Sequence, residues 1–151
     1  MLTLFLLMLA AHLCGDVLIY SPSMARNKRS GSFWSRSQVI FRHALIHALL
    51  IWLWLWPYPL SLKIYASVYI LLVHYLLDIS RTYYEEILID KQEFHIFSRK
   101  DLWKWIRGQP LQQETKAFLK KHMKVWLSIN LLDQSLHLLS ILVFVLVWAR
   151  I

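Results

Sequence analysis

Four stretches of the chain are apolar almost without interruption, at residues 1–20, 39–58, 60–79 and 125–149, and mixed-charge connectors at 21–38 and 80–124 separate them. A helix rises about 1.5 Å per residue, so about 20 apolar residues cross the hydrocarbon of a bilayer. The pattern therefore predicts an all-α polytopic membrane protein, a four-transmembrane-helix bundle that forms a single integral-membrane domain over residues 1–151. Trp52, Trp54 and Trp56 alternate as a strand would. A lone strand cannot satisfy its backbone in lipid, so the helix is expected to continue and the tryptophans to form an interfacial aromatic belt. Pro57 and Pro59 then break it into a hairpin.

The connectors are a different material. Pro22, Gly31 and several serines and arginines suit a surface connection at 21–38, with a short interfacial turn of helix near Met24 to Lys28. In the second connector, basic and aromatic residues interleave over 99–107 as in an interface-bound helix. Gly108 and Pro110 punctuate, and 111–124 is expected to form another amphipathic helix leading into the fourth span. There is no repeat of solenoid length and no low-complexity tract.

Composition agrees: 58% hydrophobic and 17% charged residues, with eight tryptophans in 151 residues, is too apolar for a soluble domain of this size. The first stretch lacks the basic n-region and the Ala-x-Ala site of a signal peptide, so it is read as part of the mature protein. Cys14, the single cysteine, excludes an intrachain disulfide and reads as a small packing residue. Of the basic residues behind the +8 net charge, Arg26, Lys28, Arg29 and Arg36 lie in the first connector and ten more, from Arg81 to Lys124, between the third and fourth spans. Only Lys63 is near the hairpin, and only Arg150 near the C-terminus. The positive-inside rule places both connectors in the cytoplasm and both termini on the far side. The charge is thus a matter of topology, and no nucleic-acid partner is expected.

The spans also carry groups that lipid does not tolerate without a reason. His12 with Asp16, His43 with His47, His74 with Asp78, and Asp133 with His137 are four apart, one pair in each span. On a helix such residues lie roughly 40° apart in projection and one turn apart, so both reach a common point. Asp16, Asp78 and Asp133 are the only acidic residues within these stretches, and His95 and His122 the only histidines outside them. Given the charge-derived orientation, all four pairs fall in the cytoplasmic half of their spans. Intramembrane ionisable groups of this kind usually mark a functional site. Imidazole nitrogen with carboxylate oxygen is a ligand set for divalent cations, and a bound cation would compensate the buried carboxylates. The number of donors exceeds what one tetrahedral ion uses and suits two ions. Interhelical His–Asp hydrogen bonds with no metal are the other reading. A conduction path fits poorly, because the outer halves of the spans are apolar.

Together His12-Leu13-Cys14-Gly15-Asp16, Met24-Ala25-Arg26-Asn27-Lys28, His43 with His47, His74 to Asp78 and Asp133-Gln134-Ser135-Leu136-His137 resemble the domain-of-unknown-function 3307 family of small bacterial and phage membrane proteins. The resemblance covers all four spans in order and implies an integral-membrane fold in a bacterial inner membrane. The constellation is also broadly similar to that of proteins described as membrane metal-dependent hydrolases, which is analogy alone. Val17 departs from the expected aromatic after Gly-Asp.

The expected chemistry is an intramembrane dinuclear metal-dependent hydrolase. His12, Asp16, His43, His47, His74, Asp78, Asp133 and His137 are its expected ligands. The cofactor would be two divalent ions, zinc first, manganese or iron otherwise. Metal-bound water would attack an ester or phosphoester of a membrane lipid or polyprenyl phosphate at the cytoplasmic leaflet. Asp16, Asp78 and Asp133 would shuttle protons. Asn130 and Gln134 would orient ligands, and Arg26, Lys28, Arg42 and Arg81 would hold an anionic headgroup, each having a snorkelling or topology-setting charge as its plainer role. A di-iron lipid oxygenase and a non-catalytic interaction module with a structural metal are the rivals. A homo-oligomer is an open alternative.

Overall fold

Leu2–Cys14 forms α1, and its last turns open into a π-helical segment at Gly15–Ile19. A short α2, Pro22–Asn27, starts on the Ser21 hydroxyl, which accepts from Met24 N, with proline in the first turn where its missing N–H costs nothing. The long helices α3 (Phe33–Trp54), α4 (Leu60–Leu88) and α6 (Gln113–Trp148) follow, with α5 (Arg99–Ile106) between the last two. These elements come from a computed structural model that describes residues 1–19, 21–90, 93, 95–96 and 98–150, and among the described residues all regular structure is helical. Tyr20, the expected end of the first span, and Lys91 of the second connector lie outside the described residues.

Four helices are long and apolar enough to cross a membrane: Leu2–Ile19, Phe33–Trp54, Leu60–Leu88 and Gln113–Trp148. The chain is a multi-pass membrane protein. Its outward faces carry Leu49, Leu72, Leu76, Leu131 and Leu139, all more than half exposed, as lipid-facing positions require.

Three of the four spanning helices run past an end of their apolar stretch. Helix α3 begins at Phe33, six residues before the apolar run, because Gly31 adopts a left-handed φ of 85° and the Ser32 hydroxyl then caps the next turn. Helix α4 continues nine residues past Ile79, and the expected amphipathic helix at 111–124 is the first part of α6 itself. Nothing in either stretch breaks a helix, so polar residues extend the rods beyond hydrocarbon. The interfacial helix near 99–107 is α5, closed at its start by a Ser98–Asp101 capping box. It ends in a Schellman arrangement, with Gly108 N donating to Trp105 O, Gln109 N to Lys104 O, and Gly108 at φ 65°.

Packing runs in a ring: α1 against α3, α3 against α4, α4 against α6, and α6 back against α1. Each helix contributes one seam. On α4 it reads Leu62, Ala66, Ile70, His74, Asp78, Thr82 and Glu85, in steps of four and three. Its first half joins Leu4 and Met8 of α1, Ile51 of α3 and Ile141 and Phe144 of α6 in an apolar core. Along α1 and α4 the chain runs from this core toward the histidines, along α3 and α6 away from them, which makes an up-down-up-down bundle. Buried alanines at 11, 44, 48 and 66 let the backbones approach. At the hairpin end Lys63 lies 5.4 and 5.2 Å from the ring centres of Trp52 and Trp56, a cation on two aromatic faces.

Candidate metal centre

The seams that are apolar at one end of the bundle turn polar at the other, and there the spacing of four delivers one or two imidazoles from each helix to one place. Ring centres of His47 and His74 lie 3.9 Å apart, His74 and His137 4.4 Å, His43 and His47 4.6 Å, His12 and His47 4.9 Å, and His12 and His137 5.0 Å. All five histidines are buried. His74 is the hub, within 5.4 Å of each of the other four.

The approach of α1 depends on Gly15. A Cβ there would stand 2.4 Å from His47 Cε1, far inside contact distance. The π-helical segment that starts at this glycine carries Asp16, and such segments recur at functional sites. Gly15→Ala is expected to displace His47 and destabilise the fold by about 1–3 kcal/mol, as overpacking does. A melting curve of the purified variant measures it.

Asp16 is the carboxylate at the centre of this group. Its Oδ1 lies 3.2 Å from Nε2 of both His43 and His47, those two nitrogens are 3.2 Å from each other, and its Oδ2 is 3.4 Å from His12 Nε2. Donors at about 2.0–2.1 Å from a tetrahedral zinc stand about 3.3 Å apart, so this triangle has the size of one face of a ligand cage. Asp16, His43, His47 and His74 each offer a donor atom within 4.8 Å of the others, and a second group, His74, Asp78 and His137, meets the same test. The two groups share His74.

Ring-nitrogen hydrogen bonding points the same way. His137 Nδ1 lies 2.9 Å from the Asp133 carbonyl oxygen, which can only accept, so Nδ1 carries the proton and a neutral ring presents a bare lone pair at Nε2. That Nε2 is buried with no hydrogen-bond partner among the described residues, and so are His12 Nε2, His47 Nδ1 and both ring nitrogens of His74. Buried polar atoms are rarely left so. The backbone carbonyl behind His137 is the kind of partner that orients a metal-binding imidazole.

Not every expected ligand joins this cluster. Asp133 belongs to neither donor group. Its Oδ2 accepts from Arg81 Nη1 at 2.8 Å and from Gln134 Nε2 at 3.2 Å, while Arg81 Nη2 also donates to Asn130 Oδ1 at 2.8 Å. Gln134 donates to Asp16 Oδ2 at 3.2 Å as well, so it links the carboxylate of the π-helical segment to that of α6. Of the four expected headgroup cations, Lys28 is buried and bonded to Asp78 Oδ2, and Arg81 faces Asp133 and Glu85. Arg26 and Arg42 are exposed, with Arg26 lining a separate cleft of about 580 Å³ beside Arg29 and His95. Val17, the departure after Gly-Asp, is about half exposed and faces outward.

Sequence reasoning missed Glu85. It is 2% exposed and accepts from Arg29 Nε at 2.7 Å and Arg81 Nε at 3.3 Å. Its signal was present: Glu85 lies seven residues beyond Asp78, on the same helical face, but it was assigned to a polar connector. Arg36 pairs with Glu86 on the same helix end. His95 and His122 do stay apart, next to Thr115 and Glu93 respectively. Hydrogen bonds from Lys121 and His122 hold the Glu93 carboxyl below its ordinary range.

The sequence model of the family described as protein of unknown function DUF3307 matches residues 4–151, nearly the whole chain. The chain belongs to the DUF3307 family. No curated protein and no solved structure shows significant similarity to it. For this DUF3307 chain, the chemistry of the cluster is therefore the ground on which a function is argued.

Proposed function

We propose that the histidine end of the bundle binds divalent metal and hydrolyses an ester or phosphoester of a membrane lipid or polyprenyl phosphate. The observation that carries this reading is the set of buried ring nitrogens without hydrogen-bond partners among the described residues, drawn from four helices to the end of the bundle where Asp16 and Asp78 lie. Three imidazoles and one carboxylate suit zinc, with manganese and iron as alternatives. The expectation of two ions corresponds to the two donor groups that share His74. A bound ion of this kind supplies a water acidic enough to be deprotonated near neutral pH. His12 and His137, whose Nε2 atoms have no hydrogen-bond partner among the described residues and whose rings are 5.0 Å apart, would be the bases beside it, with His12 Nε2 3.4 Å from Asp16 Oδ2.

A lipid substrate is supported by a groove of about 390 Å³ between α4 and α6. Leu77, Tyr84, Ile129 and Leu136 line it, and Arg81 and Asp133 form its polar end. A tail in this groove would bring its ester toward the cluster, with Arg81 toward the headgroup. The positive connectors put this end of the bundle at the cytoplasmic leaflet and both termini outside. A cysteine placed at Gln109, with Cys14 replaced, is expected to react with an impermeant maleimide only after the cytoplasmic face is opened. Labelling of intact cells would reverse the topology.

The metal reading is tested by elemental analysis of protein purified in mild detergent without chelator. Zinc that is lost in His47→Ala supports it, and a metal-free, folded wild type refutes it. Iron with a visible absorption band would favour the oxygenase instead. One observation favours a second reading, a structural metal: Asp16, His43, His47 and His74 alone fill a tetrahedron, as closed sites do. Against closure, the Asp16 side chain is 23% exposed. Cobalt substitution separates the two, since a five-coordinate spectrum shows a position open to water.

A further inference from the structure

We propose that Lys28 is a built-in cation that occupies the second donor group, so that this centre holds one metal ion and one lysine ammonium rather than two metals. The inference rests on the metal reading above and goes beyond it in fixing what the Asp78 side of the cluster binds. Asp78 is the only carboxylate of the group it forms with His74 and His137. The oxygen it turns toward them, Oδ2, lies 3.7 Å from His74 Nε2 and 3.9 Å from His43 Nε2, and the Lys28 ammonium donates to that same oxygen. Both side chains are almost wholly buried.

The lysine is held there by its own connector. Lys28 N donates to Met24 O at 3.0 Å at the end of α2. The next residue, Arg29, returns Nη1 to Ala25 O at 2.8 Å and ties its guanidinium to Glu85, two turns along α4 from Asp78. Arg36 continues the same contact at Glu86. The connector is thus fastened along one edge of α4, and Lys28 is the part that reaches the imidazoles.

Charge balance supports the same count. Among the described residues, Asp78, Glu85, Glu86 and Asp133 each face a lysine or arginine, namely Lys28, Arg29 with Arg81, Arg36, and Arg81. Asp16 instead faces His12, His43, His47 and Gln134. One divalent ion at Asp16 meets the carboxylate of this cluster that faces no lysine or arginine among the described residues. A second would be brought beside an ammonium, with no further carboxylate to offset it, in a medium where unpaired charge is costly.

Cobalt(II) stoichiometry tests this on full-length protein in detergent, stripped with chelator, saturated with the metal and freed of excess, with cobalt and protein quantified on one sample. Wild type is expected to hold one cobalt per chain and Lys28→Met two, while Lys28→Met combined with Asp78→Asn returns to one. Two ions in wild type, or one in a folded Lys28→Met, overturns the proposal. The wild-type measurement needs no variant, so a Lys28→Met chain that fails to fold leaves that half of the test standing, and Lys28→Gln replaces it in the other half. No bound cobalt in folded wild type removes the metal reading itself, an outcome distinct from a count of two.

Discussion

His74→Ala is expected to lower metal affinity by more than about 100-fold, beyond the 10- to 100-fold that follows loss of a ligand's hydrogen-bonding support. His74 is the one imidazole common to both donor groups, and its ring touches those of His12, His43, His47 and His137. Its removal takes a donor from each group and leaves a gap among the four facing rings. Competition against a chromophoric chelator reads the affinity. His122→Ala is the control, because its imidazole meets Glu93 in the second connector and should bind metal as wild type does. Equal affinity in His74→Ala and His122→Ala would show that the cluster is not a ligand cage.

Glu85→Ala is expected to be the most destabilising single change, by about 3–5 kcal/mol, the cost of breaking a buried ion pair from one side. Glu85 is 2% exposed, and its two oxygens divide between two guanidiniums, Oε2 to Arg29 and Oε1 to Arg81. Removing it deprives α2 of its anchor on α4 and loosens the Arg81 contact with Asp133 on α6. Glu85→Gln keeps an acceptor but no charge and should fall between. Both are read as melting temperature in one detergent. A Glu85→Ala chain as stable as wild type would mean that the pairs at this end contribute nothing net.

The lone-pair arrangement at His137 separates two readings of the His–Asp pairs. As interhelical glue, each imidazole would spend its N–H on a carboxylate. His43 does so, its Nε2 3.2 Å from Asp16 Oδ1, whereas His137 bonds the carbonyl of its own helix, one turn back, and both nitrogens of His74 have no hydrogen-bond partner among the described residues. Hydrogen bonding within the protein thus leaves donors unspent where the helices meet.

The spans and the His/Asp pairs were legible in the sequence because each follows from a rule that acts along a single helix. Lipid demands about 20 apolar residues, and a step of four keeps two side chains on one face. His12, His43, His47, His74 and His137 could be named before their neighbours were known, and they do meet. The helix ends were less legible: α3, α4 and α6 continue into polar sequence, where hydropathy carries no signal but helix propensity persists.

What the sequence alone determined is thus a four-span bundle with an inward seam that changes from apolar to histidine- and aspartate-bearing partway along each helix. Only the tertiary structure decided how the carboxylates divide. Asp16 goes to the imidazoles, Asp78 to Lys28, Asp133 to Arg81, and Glu85 to Arg29 and Arg81. Lys28 and Asp78 are 50 residues apart, Arg81 and Asp133 52. No periodicity relates such positions, because their pairing depends on where a polar connector docks and how two helices are rotated about their axes. In a buried site those choices set the net charge, and the net charge sets how many cations the site will accept.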